Sequence, residues 1–261
     1  MYLRRESRYI CRMDLNAHAL FLDLSGVIYE GSRPLPGASE AVEKARRRGL
    51  VLRFVTNTAT SSSEAILDKL AGMGVPIEPD ELFTAPIAAK HYIQHHDLRP
   101  FCLVHEAIQP EFADLDHSEP NCVLLGDARE GLNYAALNRA FRLCKQGATL
   151  IGIGMNKYFK DESGLNLDAG PFIRAIEWAA DTPAIIMGKP SQAFFDQIIA
   201  STPFTAGQCL MVGDDLEGDV QGAVAAGLQA CLVKTGKYQA GDEQRLPAGA
   251  MLAGSLADLF A

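Results

Sequence analysis

Four short apolar runs that each end in polar residues constrain this chain more than any other feature. Ala19-Leu20-Phe21-Leu22 runs into Asp23, Leu50-Val51-Leu52-Arg53-Phe54-Val55 into Thr56-Asn57, Ala184-Ile185-Ile186-Met187 into Gly188-Lys189-Pro190, and Cys209-Leu210-Met211-Val212 into Gly213-Asp214. Runs this short, without polar alternation, read as strands covered on both faces, the pattern of a parallel sheet with helices above and below it. Open sheets of that kind bind their ligands at the carboxyl ends of the strands. The expected fold is therefore α/β, a Rossmann-like parallel sheet with helices on both faces. The polar residues at the four strand ends are its candidate chemistry.

The segments between the runs supply the helices. Pro34 and Pro36 turn the chain toward a helix Glu40–Arg48, with Ser39 as its N-cap and Gly49 at its C′ position. Ser61, Ser62 and Ser63 offer N-caps for a helix through Ala71, and Pro86 suits the first turn of another that ends near His95. From there the pattern restarts, with strands Phe101–Val104, Asn121–Leu125 and Thr149–Ile153 alternating with helices Asn133–Lys145 and Pro171–Ala180. A second α/β layer of about a hundred residues, enough for its own core, is thus inserted into the first. The first domain resumes with the strand Ala184–Met187, a helix Ser191–Ala200, the strand Cys209–Val212, a helix Asp219–Ala226, a strand Gln229–Val233 and a short helix from Ser255. The expected division is a leader over 1–17, a catalytic core of 18–84 and 183–261, and an inserted domain of 85–182.

Composition removes several function classes. The leader carries Arg4, Arg5, Arg8 and Arg12 but lacks the apolar stretch and cleavage site of a secretion signal, and Met13 is an alternative start. No apolar run approaches the roughly 18 residues of a membrane span. A formal net charge of -8, spread along the chain, lacks the basic face of a nucleic-acid binder. The expectation is a cytoplasmic protein with no membrane and no nucleic-acid partner. Its six cysteines, Cys11, Cys102, Cys122, Cys144, Cys209 and Cys231, form no C-x-x-C pair and fall mostly in apolar runs, as small core residues do. His91, His95 and His96 have no carboxylate or cysteine at a zinc-ligand spacing.

Singly, each strand end has a plain structural explanation: Asp before Gly26 starts a turn, Thr-Asn approaches a helix, and Gly-Lys-Pro and Gly-Asp-Asp occur in many loops. Together they hold the parts of in-line phosphoryl transfer. These are a nucleophile at Asp23, donors for the non-bridging oxygens at Thr56 and Asn57, a cation at Lys189, and carboxylates at Asp214 and Asp219. Mg²⁺, a hard cation, takes a few carboxylates with backbone carbonyls and water. Its expected ligands are Asp23, Asp214 and the Ser25 carbonyl, with Asp219 acting through water and Asp215 replacing or assisting it.

In this motif order the chain resembles the haloacid dehalogenase (HAD) superfamily, in the class IIA branch with a C2-type α/β cap between the second and third motifs. Asp23-Leu24-Ser25-Gly26-Val27 matches motif one, Thr56-Asn57 motif two, Lys189 motif three and Gly213-Asp214 through Asp219 motif four, and the likeness spans residues 18–261. Asn133-Tyr134-Ala135-Ala136-Leu137-Asn138 and Leu165–Pro171 are further similar to the subgroup that contains phospholysine phosphohistidine inorganic pyrophosphate phosphatase. The resemblance implies a Mg²⁺-dependent phosphatase that forms an aspartyl-phosphate from a small phosphorylated substrate, and a cap that meets the leaving group. One position departs from the family pattern, which has a second aspartate, the general acid, two residues after the nucleophile. Ser25 stands there. Serine is no acid at neutral pH, and losing acid–base help costs on the order of 10²–10⁴ in rate. A protonated phosphoramidate nitrogen or the phosphate of pyrophosphate leaves with little such help, so these are the expected substrate classes.

Within the inserted domain, the loop Gly154–Lys160 mixes aromatic and cationic residues, and Asn156 and Tyr158 are its candidate substrate contacts. Asp127-Ala128-Arg129 reads as solvent-facing. A homodimer is the default for a soluble oligomer. Two other readings compete: a sugar- or nucleotide-phosphate phosphatase in which water or a cap residue replaces the acid, and a weakly active phosphate-binding protein that kept the fold and metal site. Dehalogenase chemistry uses the same nucleophile but needs no metal, and the retention of Lys189, Asp214 and Asp219 argues against it.

Overall fold

A computed structural model describes residues 17–261. Apart from Ala17, the expected leader, with Cys11 and Met13, lies outside the described residues. The chain divides into two compact units. One comprises the described residues up to Val55 with Lys69–Leu82 and Ile198–Ala261, the other Thr56–Asp68 with Phe83–Gln197.

The first unit is built on a sheet whose strands run in the order Met251–Ala253, Gln229–Val233, Cys209–Gly213, Ala19–Asp23, Val51–Thr56 and Leu82–Thr84. Ala19–Asp23 is central and pairs in parallel on both sides, Leu22 opposite Val212 and Asp23 opposite Val55. That position explains its unbroken apolar run, since every residue of the strand is buried. The helix Ala38–Arg47 buries Ala38, Ala41, Val42 and Ala45, a stripe at helical spacing.

Several expected boundaries move. The first helix starts two residues before Glu40, because its N-cap is Gly37 at φ 76, a conformation Ser39 would adopt only with strain. Ser39 lies inside the helix and its hydroxyl donates to the Gly74 carbonyl at 3.0 Å. The expected helix Asp219–Ala226 instead begins with a wide π-type turn over Leu216–Gln221, capped by Asp215, and continues as Gly222–Ala225. Short strands at Leu82–Thr84 and Met251–Ala253 carry too few residues for a periodic signal.

The larger correction concerns Ile185–Met187, read from sequence as a strand of the first domain. It belongs to the second unit, at the edge of a four-stranded parallel sheet ordered Ile185–Met187, Thr149–Ile153, Cys122–Leu125 and Pro100–Leu103. Ile185 lies opposite Ile151, and Met187 opposite Ile153. A three-residue apolar run suits either sheet, so its partner is decided by packing. Helices Tyr134–Lys145 and Ala169–Ala180 cover one face: Ala140, Cys144, Ile173 and Ile176 share a core with Val123, Leu125 and Leu150. Each fully buried aliphatic side chain of that core contributes about 1.5–3 kcal/mol. Between them, Tyr158–Asp161 and Gly164–Leu167 form an antiparallel hairpin where sequence suggested a loop. Among the described residues no helix is long and apolar enough to cross a membrane.

Candidate active site

The carboxyl end of the central strand delivers Asp23, 9 % exposed, to the sheet edge. The chain then turns tightly: the Gly26 N–H donates to the Tyr29 carbonyl at 2.7 Å and the Ile28 N–H to the Leu24 carbonyl at 2.9 Å. Gly26 sits at φ 87, and a Cβ there would lie 2.0 Å from Asp214 Oδ2, so this position admits only glycine. Ser25 is exposed in the same turn.

The adjacent strand ends at Gly213, where a Cβ would lie 2.2 Å from Asp219 Oδ2. Glycine at that point lets the Asp219 side chain fold back under the strand end, where Oδ2 accepts the Asp215 N–H at 3.1 Å. Asp214 and Asp219 are 2 % and 1 % exposed. Asp23, Asp214 and Asp219 each offer one carboxylate oxygen, and the three oxygens lie within 4.8 Å of one another.

Three gathered carboxylates repel unless a cation or proton is shared. Burial pushes the Asp214 carboxyl above its ordinary range, the Lys237 N–H opposes that shift, and the charge of Asp219 adds to it. Asp214 Oδ2 accepts the Lys237 N–H at 2.7 Å, whereas Oδ1 is buried with no partner among the described residues. A buried acceptor left over, beside two further carboxylates, fits a hard divalent cation such as Mg²⁺. Asp215 is engaged otherwise. Its Oδ1 accepts the Glu217 and Gly218 N–H groups at 3.1 and 2.9 Å, and its Oδ2 pairs with Lys237 Nζ at 3.0 Å. Burial would raise its carboxyl, but those N–H groups and the ammonium hold it below the usual range.

The second unit brings together Asn57 and Lys189, joined by two hydrogen bonds through the Lys189 backbone. Thr56, 7 % exposed, shares a 2.8 Å hydrogen bond with the Thr58 hydroxyl and accepts the Thr58 N–H at 3.1 Å. Asn156 is exposed, and its carbonyl accepts the Gly170 N–H at 3.1 Å. Tyr158 is 62 % exposed at the start of the hairpin. The solvent-facing reading of Asp127-Ala128-Arg129 holds for Arg129, which is exposed, and is corrected for Asp127. Asp127 is 6 % exposed and paired with Arg129 at 3.2 Å, and the Arg129 guanidinium lies 3.9 Å from the centre of the Phe159 ring. The hairpin that supplies Phe159 was not recognised from sequence, so neither was this stack.

Sequence reasoning also passed over Thr235-Gly236-Lys237, which contacts Gly26 and Asp214. The signal was present: this tripeptide follows Gln229–Val233, another buried parallel strand, by one residue.

A family model described as haloacid dehalogenase-like hydrolase matches residues 20–118, and a second HAD-hydrolase-like model matches residues 186–259. The chain is 40 % identical over 228 residues to haloacid dehalogenase-like hydrolase domain-containing protein 2 of Bos taurus, covering 87 % of this chain and 88 % of that one. It is 39 % identical over 233 residues to phospholysine phosphohistidine inorganic pyrophosphate phosphatase of Xenopus laevis, covering 87 % and 86 %. Among solved structures, a 4-nitrophenylphosphatase from Thermotoga maritima superposes with a TM-score of 0.81 at 25 % identity, covering 94 % of this chain and 97 % of that one.

Proposed function

The chain belongs to the haloacid dehalogenase-like hydrolase family, and from that premise we propose that it is a Mg²⁺-dependent phosphatase working through an aspartyl-phosphate at Asp23. The observation that carries the proposal is the convergence of Asp23, Asp214 and Asp219 within 4.8 Å, with Asp214 Oδ1 buried and unpartnered among the described residues. When bound there, Mg²⁺ supplies the positive charge that offsets repulsion between the Asp23 carboxylate and the phosphoryl group.

In the first step an Asp23 carboxylate oxygen bonds to phosphorus. The bond from phosphorus to the leaving oxygen or nitrogen breaks, and its electron pair departs with that atom. In the second step water attacks the same phosphorus, the bond from phosphorus to the Asp23 oxygen breaks with its electron pair returning to the carboxylate, and phosphate leaves while the water's proton passes to solvent. Asp214 and Asp219, with Asp23, would hold the cation. Thr56, Asn57 and Lys189 are assigned to the phosphoryl oxygens and their positioning by the order of the family motifs, and the inserted domain, with Ile185–Met187 as a strand of its sheet, is assigned to the cap.

Ser25 offers no acid to the leaving atom, so the substrates that suit this site carry groups that leave unaided, phosphoramidates and pyrophosphate before alkyl esters. The names of two relatives lie in the same direction, one a phospholysine phosphohistidine inorganic pyrophosphate phosphatase and the other a 4-nitrophenylphosphatase. The five described cysteines are free, as in a reducing compartment, and a cytoplasmic location belongs to the same proposal.

The test is phosphate release from a phosphoramidate, pyrophosphate and a sugar phosphate, with Mg²⁺ and with EDTA, beside an Asp23→Asn control. Expected are Mg²⁺-dependent turnover, a lower rate on the sugar ester, and no turnover by the control. Beryllium fluoride should occupy the wild-type nucleophile and not the variant. Mg²⁺ binding without turnover on any phosphate compound would replace the enzyme with a phosphate-binding protein.

A further inference from the structure

We propose that Thr235-Gly236-Lys237 is a clamp that positions Asp214 for the divalent cation and ties it to the turn following the nucleophile. This rests on reading the three aspartates as a cation site.

Three contacts converge within the first unit. The Thr235 hydroxyl donates a hydrogen bond to the Gly26 carbonyl, in the turn that begins one residue after Asp23. The Lys237 main-chain N–H donates to Asp214 Oδ2 at 2.7 Å. Between them, Gly236 at φ 57 lies so close that a Cβ would come 2.0 Å from Asp214 Oδ2 and 2.6 Å from Gly26 Cα. Asp214 Oδ2 is therefore held between two glycines and one N–H.

The consequence concerns the other oxygen. With Oδ2 fixed, rotation of the carboxylate is blocked, and Oδ1 is left as the buried acceptor without a partner among the described residues. Lys237 adds a second tether, since its ammonium pairs with Asp215 at 3.0 Å and so keeps the main-chain N–H over Asp214. The ammonium thereby reaches the residue next to the metal ligand and not the ligand itself. Removing the Thr235 hydroxyl frees the clamp from the Gly26 turn, and the site must then be ordered at the expense of cation binding.

The probe is Mn²⁺ alone, a paramagnetic stand-in for Mg²⁺, titrated on the whole chain and read by electron paramagnetic resonance. Loss of one buried hydrogen bond predicts that Thr235→Val raises the Mn²⁺ dissociation constant about tenfold. Thr235→Ser, which keeps the hydroxyl, should restore most of it. Lys237→Ala keeps the main-chain N–H and should weaken Mn²⁺ less than Thr235→Val does. The half-saturating Mg²⁺ for phosphate release should rise in Thr235→Val by a larger factor than the fall in kcat. Should Thr235→Val not fold, Thr235→Ala against Thr235→Ser gives the same comparison. Wild-type Mn²⁺ affinity in Thr235→Val, or no recovery in Thr235→Ser, overturns the clamp while leaving the phosphatase reading intact. A wild-type chain that binds Mn²⁺ and hydrolyses nothing overturns that reading and leaves the clamp. A wild-type chain that binds no Mn²⁺ overturns both.

Discussion

Asn57 and Lys189 lie 132 residues apart in the chain and are joined twice: Asn57 Nδ2 donates to the Lys189 carbonyl at 2.9 Å, and the Lys189 N–H donates to Asn57 Oδ1 at 2.8 Å. The side-chain amide serves the Lys189 backbone as a neighbouring strand would, satisfying its donor and its acceptor together. A side chain with one of these functions cannot replace one with both.

Asn57→Ala removes both bonds, and at about 0.5–1.5 kcal/mol each the expected loss of stability is about 1–3 kcal/mol. Asn57→Asp keeps the acceptor for the Lys189 N–H but sets a negative oxygen against the Lys189 carbonyl, and should be at least as damaging. If Lys189 serves the phosphoryl group, kcat/KM for phosphate release should fall about tenfold to a hundredfold in both variants. Urea denaturation and steady-state kinetics check the two effects separately. Unchanged stability in Asn57→Ala would remove the structural role given to the pair.

Ser25→Asp tests the missing acid. The position lies two residues after the nucleophile and is exposed, so a carboxylate fits without repacking a core. On an alkyl phosphate ester, gained acid catalysis should raise kcat by about 10²-fold or more. On pyrophosphate or a phosphoramidate the gain should be much smaller, because those groups leave unaided. Equal gains on both substrate types would contradict the leaving-group argument.

How far the site was legible follows from where each residue sits. Asp23, Thr56 and Asp214 could be located because each lies at the end of a mainly apolar run in an interior strand of the sheet, and such runs announce themselves by composition. Lys189 was correctly placed after a strand, but that strand was given to the wrong sheet, because three apolar residues do not specify a partner. Asp215 and Asp219 could not be told apart in sequence. Their difference lies in backbone geometry: Asp215 caps the turn that follows, and Asp219 folds back beneath Gly213. The roles of Gly26 and Gly236 rest on close approaches to Asp214 and to each other, between segments as far apart in the chain as Thr235 and Gly26, which are separated by 209 residues, and local pattern does not show which segments meet.

Mg²⁺ should stabilise the chain. A ligand that binds only the folded state adds about 2.7 kcal/mol at a hundred times its dissociation constant, so Tm should rise on adding Mg²⁺ and fall back with EDTA. The effect should weaken in acid in a particular window. Burial, with the charge of Asp219 adding to it, raises the Asp214 carboxyl above its ordinary 3.8, so the folded chain keeps that proton at a pH where the unfolded chain has lost it. Between 3.8 and the raised value, a falling pH stabilises the metal-free chain through Asp214 while competing with the cation. Thermal melts with and without Mg²⁺ should therefore converge as the pH enters that window from above. A Mg²⁺ shift that stayed constant while the pH fell through that window would show that Asp214 is not a ligand.

The cysteines give a prediction independent of the proposed reaction. Burial pushes Cys102, Cys122 and Cys231 up to about 12 and Cys144 to about 11, because a thiolate loses its hydration in an apolar surround. Attack on a disulfide reagent requires the thiolate, and a thiol at 12 is ionised at pH 8 in only roughly one molecule in ten thousand. Cys122, Cys209 and Cys231 are also sealed at 0 % exposure, so labelling at these three requires opening of the fold. Peptide mapping after reaction with a disulfide reagent at pH 8 should find them unmodified in the native chain and rapidly modified in urea, where an unfolded cysteine titrates near 8.5. The native rate at Cys231, in the unit that holds the three aspartates, should follow the unfolding equilibrium and fall when Mg²⁺ is added. Labelling of Cys122 or Cys231 at the speed of a free thiol, in a chain shown to be folded, would overturn the placement of that residue's strand in the core.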